Sequence, residues 1–501
     1  MNRLRLLLFL FFLTAVSAGA SWAQTQPRFT DVTETAGVVN RLLGTSAAWG
    51  DYNGDGRLDL YVTNWGTGVS TPLNALFKNN GDGTFTNVAQ EAGVAPLGAN
   101  SVSATWVDYD NDGDLDLYVV DFYRANTLYR NVGNSGAGRS GESTAGWTFT
   151  NVTDAAGVAG GRLGNKTQAA WGDSDNDGDL DLYLCKYYVE NEIYRNNGNG
   201  TFTEVDAGVG DRRDSEKAAW IDYDNDGDLD LYVVNREQAN ALYQNDGKGK
   251  FTEVAPLLGV DNTEVGRNVV WGDYDSDADL DCFLANIGAN ALYRNDGAGR
   301  FTNVSQAAGV RKVASGWISW AGIWGDFNHD GLLDLFVAHG AESANGEPDI
   351  LFVGQASGAF ADRTTGAGFG APGYSTNAAS ADYDGDGDLD LFVVRDKYPE
   401  FETSRLFRNE QNDRNFIKVR VAGAGPPLSN RDGVGAKVRL LTAGTQTLRG
   451  YRVTTSGPQP ASEAHFGVAP GTYDVEVAFP SGRTARQAGV AQGQTVTIQE
   501  R

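Results

Sequence analysis

The nine residues from Asp108 to Asp116, with the sequence Asp-Tyr-Asp-Asn-Asp-Gly-Asp-Leu-Asp, decide the fold of this chain. The same acidic pattern occurs seven times in the 501 residues, and consecutive copies begin 49 to 65 residues apart. The copies begin at Asp51, Asp108, Asp173, Asp222, Asp273, Asp326 and Asp382. A repeat of this length indicates stacked supersecondary units.

The flanks of each copy predict four short strands. An apolar stretch with Trp two residues upstream precedes six copies, whereas the seventh has Ser380 at that position. A β-rich run such as Leu58–Val62 follows the acidic residues. After an Asn-rich turn come a third strand, such as Ala291–Arg294, a Gly turn and a fourth strand that begins Phe-Thr. Four strands with turn signals between them predict one propeller blade.

The two ends of the repeat region predict a closed ring. A Phe-Thr strand occurs at Phe29, before any acidic loop, but none follows the last third strand at Arg405–Arg408. We therefore expect the N-terminal strand to complete the last blade, which removes exposed sheet edges. The predicted fold is all-β: a seven-bladed β-propeller over residues 28–410 and a small C-terminal β-sandwich.

The repeat pattern stops near Asn415. The runs Phe416–Val421, Ala436–Leu440 and Tyr473–Ala478 alternate between apolar and polar residues and are separated by Gly and Pro turns. This alternation predicts a separate all-β domain over residues 415–501.

The acidic loops predict calcium sites. Positions 1, 3, 5 and 9 carry oxygen side chains, and position 7 varies as if only its carbonyl faced the ion. Hard oxygen donors in a flexible loop suit Ca²⁺, and up to seven ions are expected. The predicted metal residues, at positions 1, 3, 5, 7 and 9 of each loop, are Asp51, Asn53, Asp55, Arg57 and Asp59; Asp108, Asp110, Asp112, Asp114 and Asp116; Asp173, Asp175, Asp177, Asp179 and Asp181; Asp222, Asp224, Asp226, Asp228 and Asp230; Asp273, Asp275, Asp277, Asp279 and Asp281; Asp326, Asn328, Asp330, Leu332 and Asp334; and Asp382, Asp384, Asp386, Asp388 and Asp390.

Two other interpretations of the loops compete with calcium binding. An EF-hand needs a bidentate Glu at position 12, where these loops have an apolar strand residue such as Val119. Solvated acidic turns without metal are the second alternative, but converging carboxylates repel one another unless a cation neutralises them. Three loops are expected to be weaker sites, because Ala278 replaces Gly at position 6 and Asn53 and Asn328 each remove a carboxylate.

Composition and the N-terminus suggest an exported protein. Residues 1–23 are expected to be a signal peptide, with an apolar run of Leu6–Leu13 and a small-x-small cleavage site. No later stretch is long enough for a transmembrane anchor, and the formal charge of −25 argues against nucleic acid as a partner. Cys185 and Cys282 lie in strand-like runs and are expected to be buried thiols. The expected location is secreted, periplasmic or extracellular.

These motifs resemble a known family. The acidic loops with their Trp-Gly-Asp and Leu-Asp-Leu flanks resemble FG-GAP/VCBS-type repeats, and the block with Asn430–Ala436, His465–Gly467 and Pro480–Gly482 is similar to an ASPIC/UnbV domain. The combination resembles the cartilage acidic protein-like family. This resemblance implies an extracellular calcium-binding protein linked to adhesion, without an established common reaction.

The opposite face of the ring is the expected ligand face. Segments that enter the first strands or follow the second strands carry many basic residues, so a cationic ring is expected to receive an extracellular protein or an acidic glycan. The candidate ligand residues are Arg41, Arg162, Lys166, Arg213, Arg267, Arg311, Trp317, Trp320 and His339. Ordinary ion pairing of these cations is the competing interpretation. An enzyme of the polysaccharide lyase or cyclase type on the same face is the second functional hypothesis, although no catalytic motif supports it.

Overall fold

The strands are short because each repeat places β-branched and aromatic residues between Gly, Asn and Asp turns. The computed structural model describes residues 26–66, 74–96, 98–133, 147–297, 299–312, 317–341, 346–397, 402–457 and 459–501. The expected signal peptide lies outside these residues.

The first part of the chain forms β1 and three four-stranded units. They are β1 (Phe29–Asp31); β2 (Leu43–Gly50), β3 (Asp59–Trp65), β4 (Ala75–Asn79) and β5 (Phe85–Asn87) in unit one; β6 (Ser101–Val107), β7 (Asp116–Asp121), β8 (Thr127–Asn131) and β9 (Phe149–Asn151) in unit two; and β10 (Asn165–Gly172), β11 (Asp181–Tyr187), β12 (Glu192–Asn196) and β13 (Phe202–Val205) in unit three.

Four further units follow in the same order. They are β14 (Ser215–Ile221), β15 (Asp230–Asn235), β16 (Ala241–Asn245) and β17 (Phe251–Glu253) in unit four; β18 (Val265–Gly272), β19 (Asp281–Ile287), β20 (Ala291–Asn295) and β21 (Phe301–Asn303) in unit five; β22 (Trp317–Gly325), β23 (Asp334–Ala341), the short β24 (Glu347–Pro348), β25 (Ile350–Gly354) and β26 (Phe360–Asp362) in unit six; and, after the short β27 (Pro372–Gly373), β28 (Ser375–Ala381), β29 (Asp390–Arg395) and β30 (Arg405–Asn409) in unit seven.

The N-terminal strand completes unit seven, as predicted. Strand β1 pairs antiparallel with β30, with Phe29 opposite Asn409. Each first strand contacts the first strands of its two neighbours, and β28 contacts β2, so the ring closes with the first strands nearest its axis. A helix of four residues follows five of the fourth-strand positions: α1 (Thr33–Ala36), α2 (Thr153–Ala156), α3 (Ala255–Leu258), α4 (Ser305–Ala308) and α5 (Thr364–Ala367).

In four of the units, the Trp before the acidic loop donates a hydrogen bond to the preceding unit. Trp106 Nε1 donates to the Ala48 carbonyl at 3.2 Å, and Trp220 Nε1 donates to the Ala170 carbonyl at 3.2 Å. Unit seven has Ser380 instead, and its hydroxyl accepts a hydrogen bond from the C-terminal domain. The buried Cys185 is a free thiol, as is Cys282.

The C-terminal domain contains two packed sheets. Its strands are β31 (Phe416–Ala422), β32 (Lys437–Thr442), β33 (Leu448–Val453), β34 (Glu463–Gly467), β35 (Thr472–Ala478), β36 (Thr484–Ala491) and β37 (Gln494–Gln499). The sheet orders are β34-β31-β37 and β33-β32-β35-β36, and apolar side chains such as Val419 and Leu440 fill the space between the sheets. The predicted all-β class is confirmed.

Candidate metal centres and the two faces of the ring

Each acidic loop joins the first and second strands of one unit, so the seven loops lie on one face of the ring, called the loop face here. The turn needs left-handed backbone at two places. In the second loop, Asn111 at position 4 has φ 54° and Gly113 at position 6 has φ 96°. Ala278 adopts φ 73° at position 6 of the fifth loop, so the backbone strain expected there from the sequence is present.

Main-chain N–H groups hold the first and fifth positions inward. In the second loop, Asp108 accepts hydrogen bonds from the N–H of Asp112 at 3.0 Å and of Gly113 at 2.9 Å. Asp112 in turn accepts one from the N–H of Asp114 at 3.0 Å. The sequence therefore directs these carboxylates to the centre of the loop through local turns.

Position 9 is fixed by a residue that the sequence argument did not single out. Asp116 accepts a hydrogen bond from the N–H of Asn131, the last residue of the third strand, at 2.7 Å. The Asn131 amide donates to the carbonyl of Tyr52, in the loop of the preceding unit, at 2.8 Å. The Asn that ends the third strand in six of the seven units was the signal for this link, which ties the loop of each of these units to the loop of the preceding unit.

The loop carboxylates converge without enough hydrogen-bond donors. In loops two to five, three carboxylate oxygens lie within 4.8 Å of one another. Among the described residues, Asp110 Oδ1, Asp116 Oδ2, Asp175 Oδ1 and Asp222 Oδ1 are buried without a hydrogen-bond partner. Such orphaned anionic oxygens are costly unless a cation binds them.

The pKa values of these carboxylates reflect the same crowding. Burial and neighbouring carboxylates raise the pKa of Asp181 to about 8, that of Asp230 to about 8 and that of Asp281 to about 9. Hydrogen bonds from main-chain N–H groups only partly offset this rise. The oxygen-only donor set and the repulsion both fit a hard divalent cation.

The side chain at position 7 turns away from the carboxylate cluster. Asp179 Oδ1 accepts a hydrogen bond from the Asn111 amide of the preceding loop at 2.9 Å, and Asp228 accepts one from Asn176 at 2.7 Å. The position 7 side chain therefore links adjacent loops.

The C-terminal domain covers the loop face. Lys437 Nζ lies 2.5 Å from Asp222 Oδ2, and Lys418 forms an ion pair with Asp382. Asp432 accepts a hydrogen bond from the N–H of Asp108 at 2.8 Å. The domain thus contacts the first position of three loops and brings positive charge to two of them.

Three of the six cations predicted for the opposite face, including Arg267, form ion pairs within the propeller. Arg213 forms ion pairs with Asp211 and Glu253, and Arg41 pairs with Glu34 at 3.2 Å. Arg162 and Arg311 are exposed, and no ion pair is found for them in the described ranges.

Three of the predicted ligand residues are buried, which corrects the expectation that they line an open face. Lys166 is 2% exposed and donates to the carbonyl of Arg124. Arg267 is 8% exposed and pairs with Glu216 at 3.1 Å. His339 is 1% exposed, and its Nε2 lies 2.9 Å from Ser319 Oγ. Burial lowers the pKa of His339 to about 4.

Trp317 and Trp320, the two tryptophans among the candidate ligand residues, lie in the first strand of unit six. Trp320 is half-buried, and the Arg267 guanidinium lies 4.4 Å from its ring centroid. The Trp317 side chain lies outside the described residues. The described contacts therefore place Trp320 against a cation of its own chain.

An aromatic patch on the opposite face was missed from the sequence. Trp65, Phe122, Tyr123, Tyr187 and Tyr188 lie at or just after the ends of the second strands of units one to three. The centroid distances are 5.2 Å from Trp65 to Phe122, 6.0 Å from Phe122 to Tyr187 and 5.9 Å from Tyr187 to Tyr188. Tyr123 is 60% exposed and Tyr188 is 70% exposed. The signal was an aromatic residue at each of these strand ends.

Family models match nearly the whole repeat region and the C-terminal domain. The FG-GAP-like repeat matches residues 51–119, 108–184, 173–233, 222–284, 273–337 and 326–393. The ASPIC and UnbV model matches residues 426–501. No curated protein matches the chain. No helix in the described ranges is long and apolar enough to cross a bilayer.

Several solved structures are similar to this chain. One is a lectin of Agrocybe aegerita that recognises non-reducing terminal N-acetylglucosamine, at 16% identity and a TM-score of 0.42, covering 74% of this chain and 87% of that chain. Another is BBS1N in complex with ARL6DN, at 11% identity and a TM-score of 0.47, covering 77% of this chain and 98% of that chain. A third is the rhamnogalacturonan lyase YesW, at 15% identity and a TM-score of 0.37, covering 73% of this chain and 71% of that chain. Similarities at these identities concern the fold alone.

Proposed function

Because the chain belongs to the FG-GAP-like repeat family and ends in an ASPIC and UnbV domain, we propose that it is an extracellular binding module whose propeller is stabilised by Ca²⁺. The observation that carries the proposal is the set of buried carboxylate oxygens without hydrogen-bond partners, such as Asp110 Oδ1 and Asp116 Oδ2. Positions 1, 3, 5 and 9 of each loop would hold the ion through side chains, and position 7 through its carbonyl. The ion would neutralise the loop and has no reaction to perform.

The expected stabilisation is large for the whole ring. With a Kd of about 10⁻⁴ M, about 1 mM Ca²⁺ contributes roughly 1.4 kcal/mol per site. Seven independent sites would contribute about 10 kcal/mol, which is comparable to the net stability of a domain.

Calcium content and thermal unfolding test this part of the proposal. The purified protein, dialysed against trace calcium, is expected to retain several equivalents of calcium by inductively coupled plasma mass spectrometry. A chelator is expected to lower its Tm by well over 10 °C. Added Ca²⁺ should restore the Tm, whereas the same concentration of Mg²⁺ should not. A protein that holds no calcium and melts at the same temperature with chelator would refute the proposal.

The partner is proposed to bind on the face opposite the loops. The C-terminal domain covers the loop face, whereas Tyr123 and Tyr188 are exposed on the opposite face. Aromatic faces supply contact area at little cost in conformational entropy. The exposed Arg162 lies in the segment that enters unit three, and the Arg236 guanidinium lies 5.8 Å from the Tyr187 ring centroid.

Aromatic rings beside cations favour an acidic glycan as the occupant. The rings suit the apolar faces of sugars, and the guanidinium groups suit carboxylate or sulfate substituents. Binding of alginate oligosaccharides, compared with neutral cello-oligosaccharides, tests this choice by calorimetry in the presence of Ca²⁺. Tyr123→Ala and Tyr188→Asn are expected to weaken alginate binding at least fivefold, because Asn removes the ring yet suits the left-handed backbone at Tyr188.

A matched control and a product assay complete the test. Leu257→Ala removes another exposed apolar side chain, which is 83% exposed in α3 and far from the patch in sequence, and should change nothing. Unaltered binding in both tyrosine variants, or binding only of an acidic peptide, would overturn the glycan assignment. Shortened products in the binding mixture would instead support the lyase-type enzyme that the sequence leaves open.

A further inference from the structure

A chamber of about 150 Å³ lies inside the first strands that surround the ring axis, and neither the loop carboxylates nor the residues of the aromatic patch line it. Its walls are first-strand residues of units three to seven, and Val453 to Gly457 of the C-terminal domain close it on the side of the loop face. Small or branched apolar side chains, including Ala170, Val270 and Ile323, line its middle.

One level of the chamber wall is mostly polar. Units three to seven each contribute the residue three positions before the Trp, or before Ser380 in unit seven: Gln168, Lys217, Asn268, Ala321 and Asn377. The Gln168 Oε1 atom accepts a hydrogen bond from the N–H of Ala218 at 2.8 Å, and Asn268 Oδ1 accepts one from Gly322 at 3.3 Å. Since both amide oxygens are occupied, the amide NH₂ groups remain as donors on the chamber wall.

Lys217 is the single charged residue among the described residues that line the chamber. Its ammonium group makes no hydrogen bond or ion pair in the described part of the chain. The neighbouring Glu216 does not line the chamber, and its carboxylate is bound by Arg267 at 3.1 Å. Burial lowers the pKa of Lys217, while Glu216 opposes this shift. The chain has 65 acidic residues, yet no carboxylate lines this cavity in the described ranges.

We propose that the axial chamber binds a small organic monocarboxylate. Its carboxylate would lie against the ammonium of Lys217 and the amide donors of Gln168 and Asn268, because these three groups offer donors and one positive charge. Its apolar body would contact Val270, Ile323 and neighbouring indole rings. A cavity of this size holds a molecule as large as benzene, so a carboxylate with four to nine heavy atoms fits the space.

Calorimetry with defined probes tests the proposal in saturating Ca²⁺. Sodium butyrate and sodium benzoate are compared with the uncharged butyramide and benzamide and with inorganic phosphate. One carboxylate per chain is expected to bind, at least tenfold more tightly than its amide. Lys217→Met should weaken binding at least tenfold, because it removes the charged hydrogen bond. Lys248→Met, which removes an exposed ammonium in the same unit, should leave binding unchanged.

Three results would each overturn the proposal. They are equal binding by the Lys217→Met variant, phosphate binding as tight as benzoate binding, or no binding of either carboxylate by the native chain. Lys217→Met removes a half-buried charge and should fold. If it does not, Asn268→Leu, which deletes one amide donor, serves as the second variant with an expected loss of at least threefold. The Tyr123→Ala variant should bind benzoate normally, which keeps this test independent of the glycan face.

Discussion

The two faces of the propeller ring neutralise charge in different ways. On the loop face, carboxylates such as Asp222 and Asp230 crowd together, and Lys437 of the C-terminal domain supplies only part of the missing positive charge. On the opposite face, cations such as Arg213 and Arg267 find their carboxylates within the propeller itself. The comparison teaches that the loop face gathers carboxylates without matching cations, whereas the opposite face pairs several of its cations internally and leaves aromatic rings, Arg162 and Arg311 exposed.

The largest test of this contrast compares two residues of the fourth loop. Asp230 at position 9 is fully buried, whereas Asp228 at position 7 accepts a hydrogen bond from Asn176 near the surface. In Ca²⁺, Asp230→Asn is expected to lower the free energy of unfolding by about 2–4 kcal/mol and to remove one bound ion, because a buried anionic ligand is lost. Asp228→Asn should change it by less than about 0.5 kcal/mol.

In the presence of a chelator, Asp230→Asn should raise the free energy of unfolding instead of lowering it. Burial raises the pKa of Asp230 from 3.8 to about 8 in the folded protein. Between these two pH values the metal-free folded state keeps a proton that the unfolded state has released, so its stability falls as the pH rises, and most of this penalty is present at pH 7. Asp230→Asn removes that penalty and should raise the Tm in chelator. Chemical denaturation with and without Ca²⁺ measures the change in the free energy of unfolding in each buffer. Destabilisation of equal size in the two buffers would mean that Asp230 acts only through its hydrogen bond with Asn245.

The next effect concerns the cover that the C-terminal domain places on the loops. Lys437 contacts both Asp222 and Asn225 of the fourth loop. Lys437→Met leaves Asp222 without this countercharge and is expected to cost about 2 kcal/mol and to speed proteolysis between the two domains. Lys250→Met, which removes an exposed cation of the same unit, should have no such effect. Equal proteolysis rates for the two variants would show that this contact does not hold the domains together.

The loop face was largely predictable because its chemistry is local in sequence. The spacing of Asp108, Asp110, Asp112 and Asp116 within nine residues shows which side chains meet, and the offset of Phe29 predicts ring closure. The cover by the C-terminal domain was not predictable, since it joins residues such as Asp222 and Lys437 that are more than 200 positions apart. The opposite face was misjudged for the same reason, because the partners of buried Arg267 and His339 come from other strands.

Backbone strain offers a smaller effect within the loop face. Gly227 has φ 100°, and a Cβ added there would meet no atom within 4 Å, so Gly227→Ala should cost about 1 kcal/mol through conformation alone. The reciprocal change Ala278→Gly in the fifth loop should gain about 0.5 kcal/mol and tighten calcium binding there. Calcium titration by calorimetry measures how each of the two variants changes the calcium affinity. If both variants changed the calcium affinity in the same direction, left-handed backbone strain would not set the order of calcium affinities among the loops.

The smallest effect is expected at an exposed ion pair of the opposite face. The Arg41 and Glu34 side chains are 68% and 72% exposed, and their charged atoms lie 3.2 Å apart. Arg41→Gln is expected to change the free energy of unfolding by less than about 0.5 kcal/mol, because water screens the pair and ordering two long side chains costs entropy. A double-mutant cycle with Glu34→Gln, measured at low salt and near 0.5 M salt, isolates the coupling. A coupling above about 1 kcal/mol that persists in high salt would mean that the opposite face also depends on networked charge, and the contrast between the two faces would then be one of degree.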